Sequence, residues 1–159
     1  MREFNITDNH KIDVLCTIAH QLNENDIIWA LGASLDIFFE GFIDDFHDID
    51  IMVVTEDALR AKELVQSLGT LYPQKDNSNF KTKYFFEFSV EGVEIDLIGG
   101  FTIVKDDKVF DCSLTEDQIE KKIMVNNEIV YLQSLKCWKN YYSLMGRSDK
   151  VKILEEHNI

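Results

Sequence analysis

The stretch from Trp29 to Val54, WALGASLDIFFEGFIDDFHDIDIMVV, constrains the fold of this chain more than any other part of it. An apolar segment ends in a turn of three small residues, which are Gly32, Ala33 and Ser34. A short helical pattern follows, and a second apolar segment then carries Asp48 and Asp50. Apolar side chains alternate with these acids, which is typical of a strand with its carboxylates on one face. The stretch therefore predicts a strand, turn, helix and strand that present two acids together.

A third acid interrupts another apolar strand further along the chain. The segments Tyr84–Val90 and Val93–Ile98 both have strand character, and Glu91 and Gly92 between them indicate a hairpin. Asp96 lies in the middle of the second segment. Acids in otherwise apolar strands are costly to bury and need a compensating role. We therefore expect Asp96 to lie beside the first two acids on the same sheet.

Length and cysteine content bound the class of protein. A chain of 159 residues is the size of one domain and can bury about 70% of its unfolded surface. The three cysteines, Cys16, Cys112 and Cys137, are odd in number and far apart, which fits free thiols in a reducing compartment. Neither the cysteines nor the histidines have the spacing of a zinc site. We predict one domain without a structural metal.

Charge and hydropathy restrict the partners. The formal net charge is −13, from 29 acidic and 16 basic residues, and this field repels a polyanion. Nucleic acid is therefore not the expected partner. The N-terminal residues lack the apolar core of a signal peptide, and no apolar run approaches the roughly 20 residues needed to cross a bilayer. We predict a cytoplasmic protein that does not bind membranes.

The remaining pattern alternates helices and strands. Spacing predicts an amphipathic helix over Lys11–Asn23, capped by Asp8 or Asn9, and a second helix over Ala33–Glu40 that ends at Gly41. A third helix is predicted to begin at a Thr55 cap and to stop at Gly69. The polar segment Tyr72–Lys83 is expected to be a loop over a site.

The C-terminal third is predicted to add short strands and two helices. We expect strands over Phe101–Val104 and on both sides of the Asn126-Asn127 turn, with a capping box between Thr115 and Gln118. Ser134 is expected to open an aromatic helix whose stripe packs into the core. The stripe consists of Leu135, Trp138, Tyr141, Tyr142 and Met145. Gly146 ends this helix, and residues 147–157 are predicted to form a last short one.

The acids indicate a phosphate-transfer site. Mg²⁺ prefers oxygen ligands and is usually held by one or two carboxylates together with substrate phosphates. Asp48, Asp50 and Asp96 match that demand, and two-metal chemistry would use the first two acids to bridge both ions and Asp96 to complete the acceptor-side ion. Backbone groups near the small-residue turn and the Ser34 hydroxyl are expected to contact phosphate. Basic residues of the tail could reach the same phosphates, and the candidates are Arg147, Lys150 and Lys139.

At this level the chain resembles the nucleotidyltransferase superfamily that includes DNA polymerase β. LGAS, HDIDIMV and VEIDLI match the turn, the Asp-x-Asp pair and the third acid of that family, with Ala33 where the family often has Gly or Ser. The resemblance is greatest to small stand-alone members, including antibiotic nucleotidyltransferases and minimal nucleotidyltransferases. It implies an α+β fold with helices on a mixed sheet, in which a core of about residues 27–132 precedes a helical tail of about residues 134–157.

The resemblance also implies an activity. A nucleoside monophosphate would pass from a nucleoside triphosphate to a hydroxyl, and pyrophosphate would be released. Two Mg²⁺ ions would serve as the cofactor. Our leading hypothesis is a small antibiotic-like acceptor. Two alternatives stay open at this point: a minimal nucleotidyltransferase that modifies a partner protein, as in toxin-antitoxin pairs, and a non-catalytic relative that binds nucleotide. The sequence is compatible with a homodimer and leaves the base preference open.

Overall fold

A mixed sheet forms the centre of the computed structural model, which describes residues 1–74 and 81–159 and has eight strands in this sheet. In spatial order the strands are β1 (Glu3–Phe4), β9 (Ile119–Val125), β10 (Glu128–Gln133), β2 (Trp29–Leu31), β3 (Ile49–Val53), β6 (Val93–Gly99), β5 (Tyr84–Val90) and β4 (Thr70–Leu71). Three neighbouring pairs are parallel, namely β1 with β9, β10 with β2, and β3 with β6. The other pairs are antiparallel. A separate hairpin consists of β7 (Thr102–Lys105) and β8 (Lys108–Asp111).

Helices cover both faces of this sheet, so the predicted mixed-sheet fold with a C-terminal helical segment is confirmed. They are α1 (His10–Glu24), α2 (Ala33–Phe39), α3 (Ala58–Gln66), α4 (Leu135–Leu144) and α5 (Ser148–Glu156). Helix α1 begins as predicted, because the Asn9 side chain accepts a hydrogen bond of 3.1 Å from the Ile12 amide. Gly41, after α2, has a φ of 85°, which is the left-handed conformation expected of a helix-ending glycine.

Two apolar layers lie on opposite faces of the sheet. Side chains of α1 and α3 pack on one face, where Ile51 and Val53 of β3 are buried. Helices α2, α4 and α5 and the β7–β8 hairpin pack on the other face, where Met52 is fully buried. The predicted aromatic stripe of α4 belongs to this second layer: Leu135, Trp138, Tyr141 and Tyr142 are buried, and Met145 is partly buried. The acids on β3 therefore face a covered side of the sheet.

The third predicted helix begins later than expected. Thr55–Asp57 form a 3-10 turn, and the α-helix starts only at Ala58. The Asp57 carboxylate accepts a hydrogen bond of 2.9 Å from the Ile28 amide and pairs with Arg60 at 2.9 Å. These contacts hold the turn against the start of β2. Thr55 lies inside the turn and is not the side-chain cap that was predicted.

Several short elements were missed, and others were confirmed. Sequence reasoning did not predict β1, β4 or β8, which are strands of two to four residues. It correctly predicted the Glu91-Gly92 hairpin, the strands around Asn126-Asn127 and the capping box of Thr115 with Gln118. In the predicted loop Tyr72–Lys83, residues 72–74 and 81–83 have no regular structure, and residues 75–80 lie outside the described residues. No helix in the described parts of the chain is long and apolar enough to cross a membrane.

Candidate active site

The sheet register brings the three predicted acids together. Asp50 on β3 is the direct neighbour of Asp96 on the parallel strand β6. Glu87 on β5, which sequence reasoning did not select, lies opposite Asp96 on its other side. We refer to Asp48, Asp50 and Asp96 as the acidic row. Asp48 comes just before β3 and is exposed. The expected proximity of Asp96 to the other two acids is therefore met.

A cavity of about 310 Å³ lies over this part of the sheet. All three predicted acids line it, as do Ala33, Ser34, Arg147 and Lys150 from the predicted phosphate-binding set. The remaining lining residues are His47, Thr82, Phe85, Ile98, Phe101, Trp138, Tyr142 and Met145. The cavity thus joins residues from the small-residue turn, the sheet and the junction of α4 with α5.

Burial and mutual repulsion perturb the acids. Burial raises the pKa of Asp50 well above its ordinary value, and the negative charges of Asp96 and Asp48 raise it further. Burial also raises the pKa of Asp96, to about 6, with contributions from the charges of Asp48 and Glu87. The carboxyl groups of Asp50 and Asp96 are in hydrogen-bonding contact, so the pair retains a proton more readily than isolated acids do. An added cation would remove this destabilising charge.

The donor set of this row fits a hard divalent cation. Carboxylate oxygens are the ligands that Mg²⁺ prefers, and partly buried acids that repel each other gain from a bound cation. As the side chains stand, no group of three His, Cys, Asp or Glu residues within 1–74 and 81–159 is arranged as a finished metal site. The carboxyl groups of Asp50 and Asp96 contact each other directly, and a cation bound between them would replace that contact.

Gly32, the first residue of the small-residue turn, packs against Trp138 and has its amide engaged within the protein. Its amide is not directed at the cavity, because it donates a hydrogen bond of 3.0 Å to the Asp50 carbonyl oxygen. A methyl group added to Gly32 would overlap Cζ2 of Trp138 and lie 2.7 Å from its Cε2. The indole is buried and donates a 3.0 Å hydrogen bond from Nε1 to Gln133 Oε1. Glycine is therefore required at this position by the packing of Trp138, and Gly32 does not itself line the cavity.

The next two residues of the turn do reach the cavity. Ala33 has a φ of 52°, a left-handed conformation that costs a non-glycine residue about 1–2 kcal/mol. The Ser34 side chain is partly exposed and is not engaged in a hydrogen bond with the described residues. The Ser34 hydroxyl is thus available to a ligand, and its contact with phosphate stays a prediction, while Ala33 is strained.

The basic residues of the tail divide into two groups. Arg147 and Lys150, at the start of α5, line the same cavity as the acidic row. Arg147 forms an exposed ion pair with Asp149 at 3.3 Å. Lys139 does not line the cavity, because its ammonium donates a 2.8 Å hydrogen bond to the backbone oxygen of Ile159. The expectation that Lys139 reaches the phosphates has no support in this arrangement and stays a prediction.

Asp36 is a buried acid that sequence reasoning missed. It lies on α2, is 0% exposed, and neither carboxyl oxygen has a hydrogen-bond partner among residues 1–74 and 81–159. Burial raises its pKa well above the ordinary value, and the charge of Glu40 adds to the effect. The signal was present in the sequence, since Asp36 interrupts an apolar helix as Asp96 interrupts an apolar strand.

We expect Asp36→Asn to stabilise the protein at pH 8 by about 1–3 kcal/mol, because the amide keeps the shape of the side chain but carries no charge to bury, and to leave stability nearly unchanged near pH 4. The folded-state pKa is raised, so the contribution of Asp36 to stability is present below its unfolded pKa and is lost as pH rises through the folded value. Urea unfolding of both proteins across this range measures the difference. Asp44→Asn, at an exposed position, serves as the control. Equal pH dependence of wild type and Asp36→Asn would contradict the assignment.

A larger cavity, of about 390 Å³, lies at the other end of β2. It is lined by Asn23, Asp26, Ile27, Ile28, Trp29, Glu116, Ile119 and Tyr131. None of the predicted site residues is among them. Size alone therefore does not identify the candidate site, whereas the acidic row and the two cations that line the same cavity do.

With this geometry the chain has the fold of a small nucleotidyltransferase. It is similar to the crystal structure of TM1012 from Thermotoga maritima, provisionally assigned as a nucleotidyltransferase, with a TM-score of 0.75 and 18% identity over 96% of this chain and 94% of that one. It is also similar to ANT(2″)-Ia in complex with adenylyl-2″-tobramycin, with a TM-score of 0.63 and 12% identity over 91% of this chain and 87% of that one.

The solution structure of the same antibiotic-resistance factor, ANT(2″)-Ia, gives a TM-score of 0.59 and 16% identity over 86% of this chain and 74% of that one. Comparisons of the sequence find neither a matching family model nor a matching curated protein. The structural similarities confirm the resemblance at the level of the fold.

Proposed function

We propose that this protein is a nucleotidyltransferase that transfers a nucleoside monophosphate from a nucleoside triphosphate to a hydroxyl of a small acceptor and releases pyrophosphate. The observation that carries the proposal is the convergence of Asp48, Asp50 and Asp96 on one cavity that Arg147 and Lys150 also line. An acidic row alone would repel a triphosphate, and basic residues alone would bind it without activating an acceptor hydroxyl. Both together suit a substrate that carries negative charge and binds with cations.

In this proposal Asp48 and Asp50 would hold two Mg²⁺ ions, and Asp96 would hold the acceptor-side ion. When bound, Mg²⁺ supplies positive charge that favours ionisation of the acceptor hydroxyl and neutralises the pyrophosphate. The same neutralisation would relieve the repulsion that raises the pKa of Asp50. The proposed metal ligands therefore gain stability from the group that they bind.

The side chains of the protein have separate tasks in this proposal. Arg147 and Lys150 pair with the phosphate oxygens, and the Ser34 hydroxyl donates a further hydrogen bond. Asp96 accepts the proton of the acceptor hydroxyl, whose oxygen forms a bond to the α-phosphorus. The bond from that phosphorus to the bridging oxygen of the β-phosphate breaks, and pyrophosphate leaves with the electron pair. Charge and atoms balance without an additional reactant.

The experiment is an assay of pyrophosphate release from each of the four common nucleoside triphosphates with Mg²⁺ and a panel of hydroxylated acceptors. We expect release to require Mg²⁺, one triphosphate and at least one acceptor. A protein that co-purifies and gains the mass of a nucleoside monophosphate would place the acceptor among proteins. Absence of both release and triphosphate binding by calorimetry would contradict the proposal and favour a relative without this activity.

A further inference from the structure

The candidate active-site cavity has an apolar half that the proposed chemistry does not use. On the face that carries the acidic row, the next residues along the strands are Ile98 on β6 and Phe85 on β5, which are direct partners in the register. Both line the cavity. Phe101 and Met145 line it as well, and Phe101 stacks on Trp138 with ring centroids 6.1 Å apart. This half forms a continuous apolar surface next to Asp96.

Strand geometry fixes how close this surface is to the reacting position. Residues two apart on a strand share a face and are separated by about 6.6 Å. Ile98 follows Asp96 by two residues, and Phe85 precedes Glu87 by two on the antiparallel neighbour. A hydroxyl placed at Asp96 therefore has its carrier group within about one ring width of Ile98 and Phe85. The cations Arg147 and Lys150 come instead from α5 and its N-terminal flank.

We infer that the acceptor carries its reactive hydroxyl next to a flat, uncharged, apolar ring, which binds against Phe85 and Ile98. The inference rests on the proposed function, because that function assigns the acceptor to Asp96. Ring burial against aromatic and branched side chains removes apolar surface from water and favours stacking. A densely aminated sugar would leave its ammonium groups without partners against this surface. The chain would then differ in acceptor class from its structural neighbour ANT(2″)-Ia, which was crystallised with adenylyl-2″-tobramycin.

The first test measures binding, independently of turnover. The probe is 2-naphthylmethanol, a ring-bearing alcohol, and its binding to the protein would be measured by ligand-observed NMR titration with Mg²⁺ present. Phe85→Ala should weaken its binding by roughly tenfold, because most of the buried ring contact is lost. The affinities for ATP and for inorganic tripolyphosphate, which lacks a base, should stay within about twofold of wild type.

A matched control keeps the residue type constant. Phe110→Ala removes a partly buried phenylalanine that packs against the same apolar layer but does not line the cavity. It should leave 2-naphthylmethanol binding unchanged. Phe85→Leu retains apolar volume without the ring and tests the site if Phe85→Ala unfolds. Weaker ATP binding with unchanged tripolyphosphate binding in Phe85→Ala would show that the surface takes the nucleobase, and it would overturn the inference.

The second test compares acceptors in the pyrophosphate assay. With wild-type protein we expect 2-naphthylmethanol to be modified at least about tenfold faster than tobramycin or myo-inositol, and Phe85→Ala to remove this preference. Faster modification of tobramycin would overturn the inference and leave the proposed function intact. Binding of 2-naphthylmethanol that depends on Phe85, without pyrophosphate release from any triphosphate, would support the ring subsite and count against the proposed function.

Discussion

Asp50→Asn is expected to lower magnesium-dependent pyrophosphate release from ATP by at least about a thousandfold and, in the same protein without metal, to raise the free energy of unfolding. We expect the activity to fall because Asp50, which lies between the small-residue turn and Asp96, is the proposed ligand of both Mg²⁺ ions. Stability rises because asparagine keeps the shape of the side chain but removes a buried charge next to Asp96 and Asp48. The two effects have opposite signs, which separates a functional acid from one that holds the fold together.

The pH dependence of the stabilisation provides an independent readout. The folded-state pKa of Asp50 is raised, so its favourable contribution exists below the unfolded pKa, near 4, and is lost as pH rises. The gain from Asp50→Asn should therefore be small at pH 4 and increase toward pH 8. Mg²⁺ should stabilise the wild type more than Asp50→Asn, because a cation neutralises the same charge. Thermal unfolding with and without Mg²⁺ at several pH values measures both.

Glu94→Gln is the matched control for Asp50→Asn. Glu94 lies on the same strand as Asp96, two residues earlier, but it is exposed and bonded to the Tyr72 hydroxyl at 2.9 Å. The substitution removes one negative charge near the row without touching the cavity. We expect activity within about twofold of wild type. Full activity of Asp50→Asn, or a free energy of unfolding lower than that of wild type, would contradict the proposed role of Asp50.

The acidic row could be predicted because it depends on local pattern. Alternation of polar and apolar residues in two strands fixes which side chains share a face, and parallel pairing of β3 with β6 then places Asp50 beside Asp96. The catalytic role of the row remains a prediction, as does the division into a core of residues 27–132 and a helical tail. The strand pattern held because neighbouring strands in the sheet obey the same period of two.

What could not be predicted depends on contacts between distant parts of the chain. The apolar half of the cavity combines strand residues with Phe101 and the aromatic helix α4, and no spacing in the sequence relates them. The reason for glycine at position 32 is likewise a side chain more than a hundred residues further on. A small-residue turn before a helix is compatible with phosphate binding and with close packing, and the need for close packing at position 32 appears only when Trp138 is in place.

That packing leads to the second large expected effect, in which Gly32→Ala destabilises the protein by about 2–4 kcal/mol. The added methyl group meets the buried indole of Trp138, which cannot move freely because Gln133 accepts its hydrogen bond at 3.0 Å. The φ of Gly32 is −123°, so the backbone itself tolerates alanine and the cost is steric.

At the next position, Ala33, the backbone conformation and not the packing favours glycine. Ala33→Gly should stabilise by about 1 kcal/mol, because glycine accepts the left-handed conformation without strain.

A double-mutant cycle tests whether Trp138 causes the effect at Gly32. Trp138→Phe removes the atoms that the new methyl group would overlap, so this substitution should cost at least about 1 kcal/mol less in the Gly32→Ala protein than in wild type. Urea unfolding of the four proteins gives the coupling. If the two substitutions are additive, Trp138 is not what excludes a side chain at Gly32, and the predicted close approach of a phosphate would again be the better reason for glycine. Because the Gly32 amide donates a 3.0 Å hydrogen bond to the Asp50 carbonyl oxygen, the packing of Trp138 against Gly32 connects α4 with the strand that carries Asp50.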